Sequence, residues 1–139
     1  MNNKMNFYGL YQSLLVLQVI LIFFTNPIVK NSTIVIGFIT LLVSAAIILY
    51  WEMFWQKNQG LVIKGLYKYV RHPFLTGMII LFIGITITFF SIYSLILTLI
   101  SIIIIFYGAI KEDKEISKKF PKYKDYTKKV KFRFFPGLF

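Results

Sequence analysis

Two short groups of charged residues stand out in a chain that is otherwise strongly apolar. Arg71 and His72 precede Pro73 and an apolar run, and Glu112 and Asp113 follow another apolar run. Arginine grips a carboxylate through two parallel hydrogen bonds, whereas a carboxylate accepts hydrogen bonds from ammonium groups and hydroxyls. Together the two groups have the chemistry to bind a small zwitterion, provided that the fold brings them together.

The composition is that of an integral membrane protein. Of 139 residues, 58% are hydrophobic and only 15% are charged, whereas about a quarter are charged in a typical soluble domain. We assign the net charge of +11 to cytoplasmic loops rather than to nucleic-acid binding. The chain has no cysteine and one histidine, which argues against disulfides and a protein-built metal site. The length predicts a single domain, residues 1–139.

Four apolar runs come close to the roughly 20 residues that a helix needs to cross a bilayer. They cover residues 7–24, 32–55, 73–90 and 92–110. Each is predicted to be a helix, because lipid offers no partner for unpaired backbone groups. The sequence therefore predicts an all-α integral membrane bundle of four transmembrane helices, in which the third and fourth form a tight hairpin near Ser91.

The basic residues predict the orientation of this bundle. The link between the second and third runs carries four Lys or Arg residues and the tail from Lys111 carries ten, whereas the first link has only Lys30 and the third link has none. Both termini and the 57–72 link are therefore expected on the cytoplasmic side, together with both charged groups. The frequent Lys, Ile and Asn residues indicate a bacterium, and hence its plasma membrane.

The basic tail also has an apolar face. Ile116, Phe120, Tyr123, Tyr126 and Val130 are spaced by 4, 3, 3 and 4 residues, which is the spacing of one face of a helix. The tail is therefore predicted to be a cytoplasmic amphipathic helix. Two compatible roles are open: a helix on an anionic bilayer surface, or a lid packed over a site.

Two motifs carry a resemblance to a known family. The segment GLYKYVRHPFLTG, residues 65–77, resembles the G-x-Y-x-x-V-R-H-P-x-Y-x-G motif of the isoprenylcysteine carboxyl methyltransferase family and of related phospholipid N-methyltransferases. Residues 112–136 resemble the second family motif, which has an acidic pair, a Phe-Pro, spaced tyrosines and a closing proline. Leu75 stands where the first motif has tyrosine, and Asp113 where the second usually has glutamate.

The resemblance implies a membrane enzyme that binds S-adenosylmethionine at the cytoplasmic face, releases S-adenosylhomocysteine and methylates a lipophilic substrate. Within the single domain, we interpret residues 1–56 as an N-terminal helix pair and residues 57–139 as the cofactor-binding half. The cofactor-binding residues that it implies are Tyr67, Val70, Arg71, His72, Pro73, Gly77, Glu112 and Asp113. Among these, Arg71 and His72 are the candidate catalytic residues, and membrane lipids are the expected partners.

The identity of the methyl acceptor stays open, and so do two alternative functions. A carboxylate or amine acceptor needs alignment and desolvation, whereas a hydroxyl acceptor needs a base, for which His72 is the candidate. A prenylated cysteine carboxylate, a phospholipid amine and a lipid hydroxyl all fit. One alternative function is a sterol-type reductase using NADPH, because that group has a similar Arg-His-Pro stretch. The other is a non-enzymatic four-helix transporter or scaffold.

Overall fold

The chain folds into helices joined by short links. The computed structural model describes residues 2–57 and 63–137, and within them five α-helices and one short 3₁₀ helix, Gly65–Lys68. The α-helices are α1 (Asn2–Phe24), α2 (Asn31–Lys57), α3 (Pro73–Thr88), α4 (Ile92–Lys119) and α5 (Tyr123–Lys129). The described residues contain no β-strand, only isolated bridge residues such as the pair Ile28 and Phe90. The all-α class predicted from the sequence is confirmed, while residues 58–62 of the predicted 57–72 link lie outside the described residues.

The two tight turns of the bundle lie at one end. Ile28, between α1 and α2, exchanges two backbone hydrogen bonds with Phe90, between α3 and α4, at N···O distances of 2.8 and 3.2 Å. The start of α1, the end of α2, the start of α3 and the end of α4 therefore share the opposite end, which we call the site end. Both charged groups of the sequence lie there.

Helices α2 and α3 approach each other closely through small residues. A Cβ added to Gly84 would lie 2.2 Å from Thr40 Oγ1, and one added to Gly37 would lie 1.6 Å from Thr88 Oγ1. Such contacts require glycine, and small residues at helix contacts are typical of membrane bundles. The close fit fixes where α3 begins relative to α2, and so where Arg71 and His72 lie.

A buried polar side chain connects α1 to α3 and α4. The amide of Gln18, which is fully buried, lies 2.8 Å from Thr86 Oγ1, 3.1 Å from Ser94 Oγ and 2.9 Å from Thr98 Oγ1. Polar side chains that bond across helices stabilise helix association in an apolar surrounding. This contact holds the hairpin of α3 and α4 against α1.

Three of the described helices are long and apolar enough to cross a membrane: α1, α2 and α4. Helix α3 has 16 residues, about 24 Å at 1.5 Å per residue, and is too short to count with them. Four crossings therefore remain a prediction. In α4 we take the apolar part, residues 92–110, as the membrane-spanning segment, because charged residues begin at Lys111.

The basic tail is not the single helix that its spacing predicts. Helix α4 ends at Lys119, and α5 begins only at Tyr123. Phe120 is extended, with φ −129° and ψ 101°, because the residue before a proline avoids the helical region, and Pro121 follows. The break turns α5 back towards the 3₁₀ helix, where its apolar face is buried.

Candidate functional site

The first charged group lies at the start of α3. His72 is the N-cap residue of this helix and Pro73 occupies its first turn, a position that suits proline because its missing N–H has no helical partner to lose. The second group lies where α4 extends beyond its apolar part, so that Glu112 and Asp113 project at the same end. The convergence that the charge pattern predicted is thus present in the structure.

Asp113 is the centre of the site. Its Oδ1 accepts hydrogen bonds from His72 Nε2 at 2.9 Å and from the hydroxyl of Tyr123, and its Oδ2 accepts from Arg71 Nη1 at 2.9 Å and from Arg133 Nε at 3.1 Å. A carboxylate offers about four lone-pair positions. All four of them are therefore filled by protein donors.

Glu112 faces a different neighbour. Its Oε2 lies 3.5 Å from His72 Nδ1, and its side chain lines a narrow cleft between α1 and α4 with a cavity volume of about 20 Å³. The remaining residues of this pocket are Phe7, Tyr8, Tyr11, Gly108, Lys111 and Glu115. The pocket therefore combines aromatic rings and two carboxylates with one cation, Lys111, whose Nζ lies 5.2 Å from the centre of the Phe7 ring.

An aromatic cluster from three helices adjoins Glu112. Tyr8 of α1, Trp51 of α2 and Phe74 of α3 have ring centroids 4.5 to 6.0 Å apart. The indole N–H of Trp51 donates to the hydroxyl of Tyr67, and burial raises the pKa of that hydroxyl. Tyr67, in the 3₁₀ helix, is thereby fixed beside this cluster as a neutral phenol.

The two acids change the protonation of His72. Burial by itself lowers the pKa of His72, but its hydrogen bonds to Asp113 and Glu112 outweigh this effect and raise the pKa above 6.5. Burial likewise acts to raise the pKa of Asp113, and the hydrogen bond from His72 reverses this and lowers the pKa to about 2. The raised pKa favours the imidazolium form of His72, whose two ring nitrogens each lie against a carboxylate.

We expect nuclear magnetic resonance to show this protonation directly. His72 is the only histidine, so its imidazole signals in tag-free protein are unambiguous, and we expect a midpoint above pH 6.5. Because the folded pKa exceeds the unfolded value, the contribution of His72 to stability is complete below pH 6.5 and is lost as the pH rises through the folded pKa. A midpoint at or below 6.5 would contradict the two-carboxylate environment.

The C-terminal segment, Lys131–Phe134, closes one side of the site. The backbone N–H of Arg71 donates to Phe132 O and that of His72 to Arg133 O, both at 3.0 Å. Arg71 Nη2 donates to Lys131 O at 2.9 Å, and Thr76 Oγ1 donates to Phe134 O at 2.8 Å. The C-terminal segment thus lies along the start of α3.

The apolar face of the tail packs inward. Tyr123, Tyr126 and Val130 are buried and form a cluster with Ile116, Phe120 and Tyr67. The hydroxyl of Tyr126 donates to Tyr67 O at 2.7 Å. Of the two roles weighed for this face, its burial against the protein agrees with a lid and leaves the lysines on the outer side.

The structure distributes the predicted site residues unequally. Arg71, His72, Glu112 and Asp113 form one bonded cluster. Tyr67, Val70 and Pro73 lie at the same end, with Val70 and Pro73 buried on either side of the Arg-His pair. Gly77 lies instead against α2, where an added Cβ would be 2.9 Å from Ile48 Cγ1 and 3.4 Å from Ser44 O.

Two residues of the cluster were not predicted as site residues. Tyr123 and Arg133 both donate to Asp113. A signal for Arg133 is present in the sequence: the chain has 14 lysines but only two arginines, at positions 71 and 133. Both arginines bind the same carboxylate, as expected where a planar, delocalised cation is needed and lysine does not substitute.

These features define a helical protein with apolar helices and a cluster of two acids, two arginines and a histidine at one end, of which His72 and Asp113 are buried. Residues 16–123 match the family model for phospholipid methyltransferases. The chain therefore belongs to the phospholipid methyltransferase family, a family of membrane methyltransferases. No curated protein and no solved structure matches it. The match contains both charged groups and Tyr123, and it ends before Arg133.

Proposed function

We propose that the chain is an S-adenosylmethionine-dependent methyltransferase that acts on a lipid acceptor in the membrane. The observation that carries this proposal is the convergence of Arg71 and His72 with Glu112 and Asp113, which are about forty residues away in sequence and directly bonded in space. The family match supports the same reaction class.

The cluster fits a ligand that brings both an acceptor group and a cation. Among the described residues, Nε of Arg71 is buried and has no hydrogen-bond acceptor, and an unpaired buried donor of a charged group is costly. The carboxylate of S-adenosylmethionine is an acceptor of the kind that this N–H needs. The Glu112 pocket, with its tyrosines and phenylalanine, suits a sulfonium or ammonium cation.

Bound S-adenosylmethionine supplies an activated methyl group. The protein residues contribute alignment and an environment from which water is excluded. His72 does not act as a base in this proposal, because its two carboxylate partners raise its pKa and favour the protonated form. It instead holds Glu112 and Asp113 in place. Arg71 contacts the ligand carboxylate.

An amine is the acceptor that the pocket favours. Glu112 and Glu115 both line it beside one cation, Lys111, and this excess of negative charge disfavours a carboxylate acceptor such as that of a prenylated cysteine. A hydroxyl acceptor requires a base, and the raised pKa of His72 disfavours that role. An amine of a membrane lipid needs only to be aligned and desolvated. The narrower isoprenylcysteine-type assignment therefore has less support than a lipid amine.

The proposal includes the orientation of the site. The lysine-rich tail and residues 63–72 lie at the site end, and basic segments favour the cytoplasmic side. A water-soluble cofactor then enters from the cytoplasm, while the acceptor enters from the bilayer. The reductase alternative has less support, because the family match is to methyltransferases and both arginines of this end donate to Asp113.

A transfer experiment tests the proposal. Purified protein in detergent is incubated with a membrane lipid extract and methyl-labelled S-adenosylmethionine, and the lipids are resolved by mass spectrometry. We expect label in one aminolipid class and none when Arg71→Ala protein is used. Label confined to carboxyl esters would contradict an amine as the methyl acceptor. The absence of any labelled lipid would contradict methyl transfer to a lipid.

A further inference from the structure

We propose that Asp113 and Arg133 are positioning residues that fasten the C-terminal segment across the start of α3, and that Glu112 is the acid that faces the ligand. The family resemblance implies cofactor binding for both acids and assigns nothing to Arg133. The naming of the ligand rests on the proposed function, whereas the positioning role of Asp113 and Arg133 does not.

The first step of the argument is the saturation of Asp113. Two donors bind each of its oxygens, and its side chain is 11% exposed. A ligand donor would have to displace Arg71, His72, Tyr123 or Arg133. Breaking one bond of a buried charged pair costs more than a new hydrogen bond returns. Asp113 therefore binds protein groups and has no acceptor position left for a ligand.

The second step is the direction of the two acids. Neighbouring residues on an α-helix are rotated by about 100° from each other, since one turn has 3.6 residues. Asp113 points to α3 and the C-terminal segment, where its four donors lie. Glu112 points towards α1 and lines the aromatic pocket with Tyr8 and Tyr11. Of the two acids, Glu112 thus faces the cleft between α1 and α4, whereas Asp113 faces protein donors.

The third step concerns the contacts through which Asp113 connects the C-terminal segment to α4. The C-terminal segment is joined to Arg71 and His72 by two backbone hydrogen bonds, and Arg133 alone connects it to α4 through a charged side-chain contact. The guanidinium of Arg71 bridges the same two parts, with Nη1 on Asp113 and Nη2 on Lys131 O. Without Asp113, both arginines lose their common acceptor, and the segment keeps only apolar contacts with α4, such as that of Phe134 with Phe106.

Spin-label distances test the positioning role without an activity assay. The chain has no cysteine, so Lys118→Cys and Lys131→Cys, both exposed in the native protein, carry the only two labels. We expect a narrow distance distribution in the otherwise native protein and a broad one in Asp113→Asn and Arg133→Gln. Arg133→Lys should restore part of the narrow peak, because lysine still donates one hydrogen bond to Asp113.

Glu112→Gln is the matched control. We expect it to keep the narrow distribution and to lose affinity for S-adenosylhomocysteine in calorimetry. Narrow distributions in both Asp113→Asn and Arg133→Gln would overturn the positioning role, and so would a broad distribution in Glu112→Gln. Should Asp113→Asn fail to fold, the distance distribution of Arg133→Gln alone tests the positioning role. We expect this variant to fold, because the side chain of Arg133 is one-third exposed.

The two proposals fail in distinguishable ways. If the native protein binds no S-adenosylhomocysteine, the proposed function fails, while the label distances still support or overturn the role of Asp113 and Arg133. If Asp113→Asn keeps a narrow distribution and loses affinity, Asp113 is a direct ligand and the positioning role is overturned, whereas the proposed function stands.

Discussion

Replacing Arg71 by alanine is expected to abolish S-adenosylhomocysteine binding and to lower the free energy of unfolding by about 3–5 kcal/mol, the usual cost of removing one partner of a buried ion pair. The side chains of Arg71 and Asp113 are 10% and 11% exposed, so water does not replace the lost contact. Titration calorimetry in detergent and unfolding by a denaturing detergent measure the two effects.

Lysine at this position should not restore binding. Arg71 uses Nη1 for Asp113 and Nη2 for Lys131 O, and its Nε remains for a ligand, whereas an ammonium group has no planar fork with which to reach all three. Lys68→Ala, an exposed position nearby, serves as the control and should leave both quantities unchanged. Full binding by Arg71→Lys would show that only the charge matters at this position.

The second large effect concerns the ligand-facing acid. Glu112→Gln is expected to weaken S-adenosylhomocysteine binding by about tenfold to a hundredfold, because a hydrogen bond to a charged group contributes roughly 1.5–3 kcal/mol. The glutamine has nearly the same shape and still fills its place beside His72. Calorimetry measures the affinity, and circular dichroism shows whether the helix content is retained.

Glu52→Gln is the matched control for this prediction. Glu52 lies near the end of α2 and is exposed, so the same chemical change there should leave the affinity within experimental error. Unaltered binding by Glu112→Gln would refute the ligand-facing role. An equal loss in both variants would point to a general effect of charge at the site end rather than to a contact.

Much of the fold could be predicted because a bilayer restricts the backbone structures that an apolar run can adopt. Apolar runs gave the positions of α1, α2, α3 and α4, and Pro73 marked the start of α3 correctly. The end of α4 was predicted near residue 110 but lies at Lys119. The reason is physical: hydropathy records where the lipid ends, whereas a helix continues into water for as long as its residues favour it.

The site was predictable in part for the same reason. Alternating basic links placed Arg71-His72 and Glu112-Asp113 at one face, and the structure joins them. The bond partners were not predictable, since the acids differ by one residue in position yet face different neighbours. The contact of Arg133 with Asp113 depends on the break at Pro121 and on the path of the chain after α5, where no periodicity guides a prediction.

The most direct test of the central claim is a calorimetric titration of S-adenosylhomocysteine into the native protein in detergent. The convergence of the two charged groups around one small zwitterion predicts saturable binding at one site per chain. Absence of binding by protein that retains its helical circular dichroism, together with saturable binding of a reduced nicotinamide dinucleotide, would contradict it.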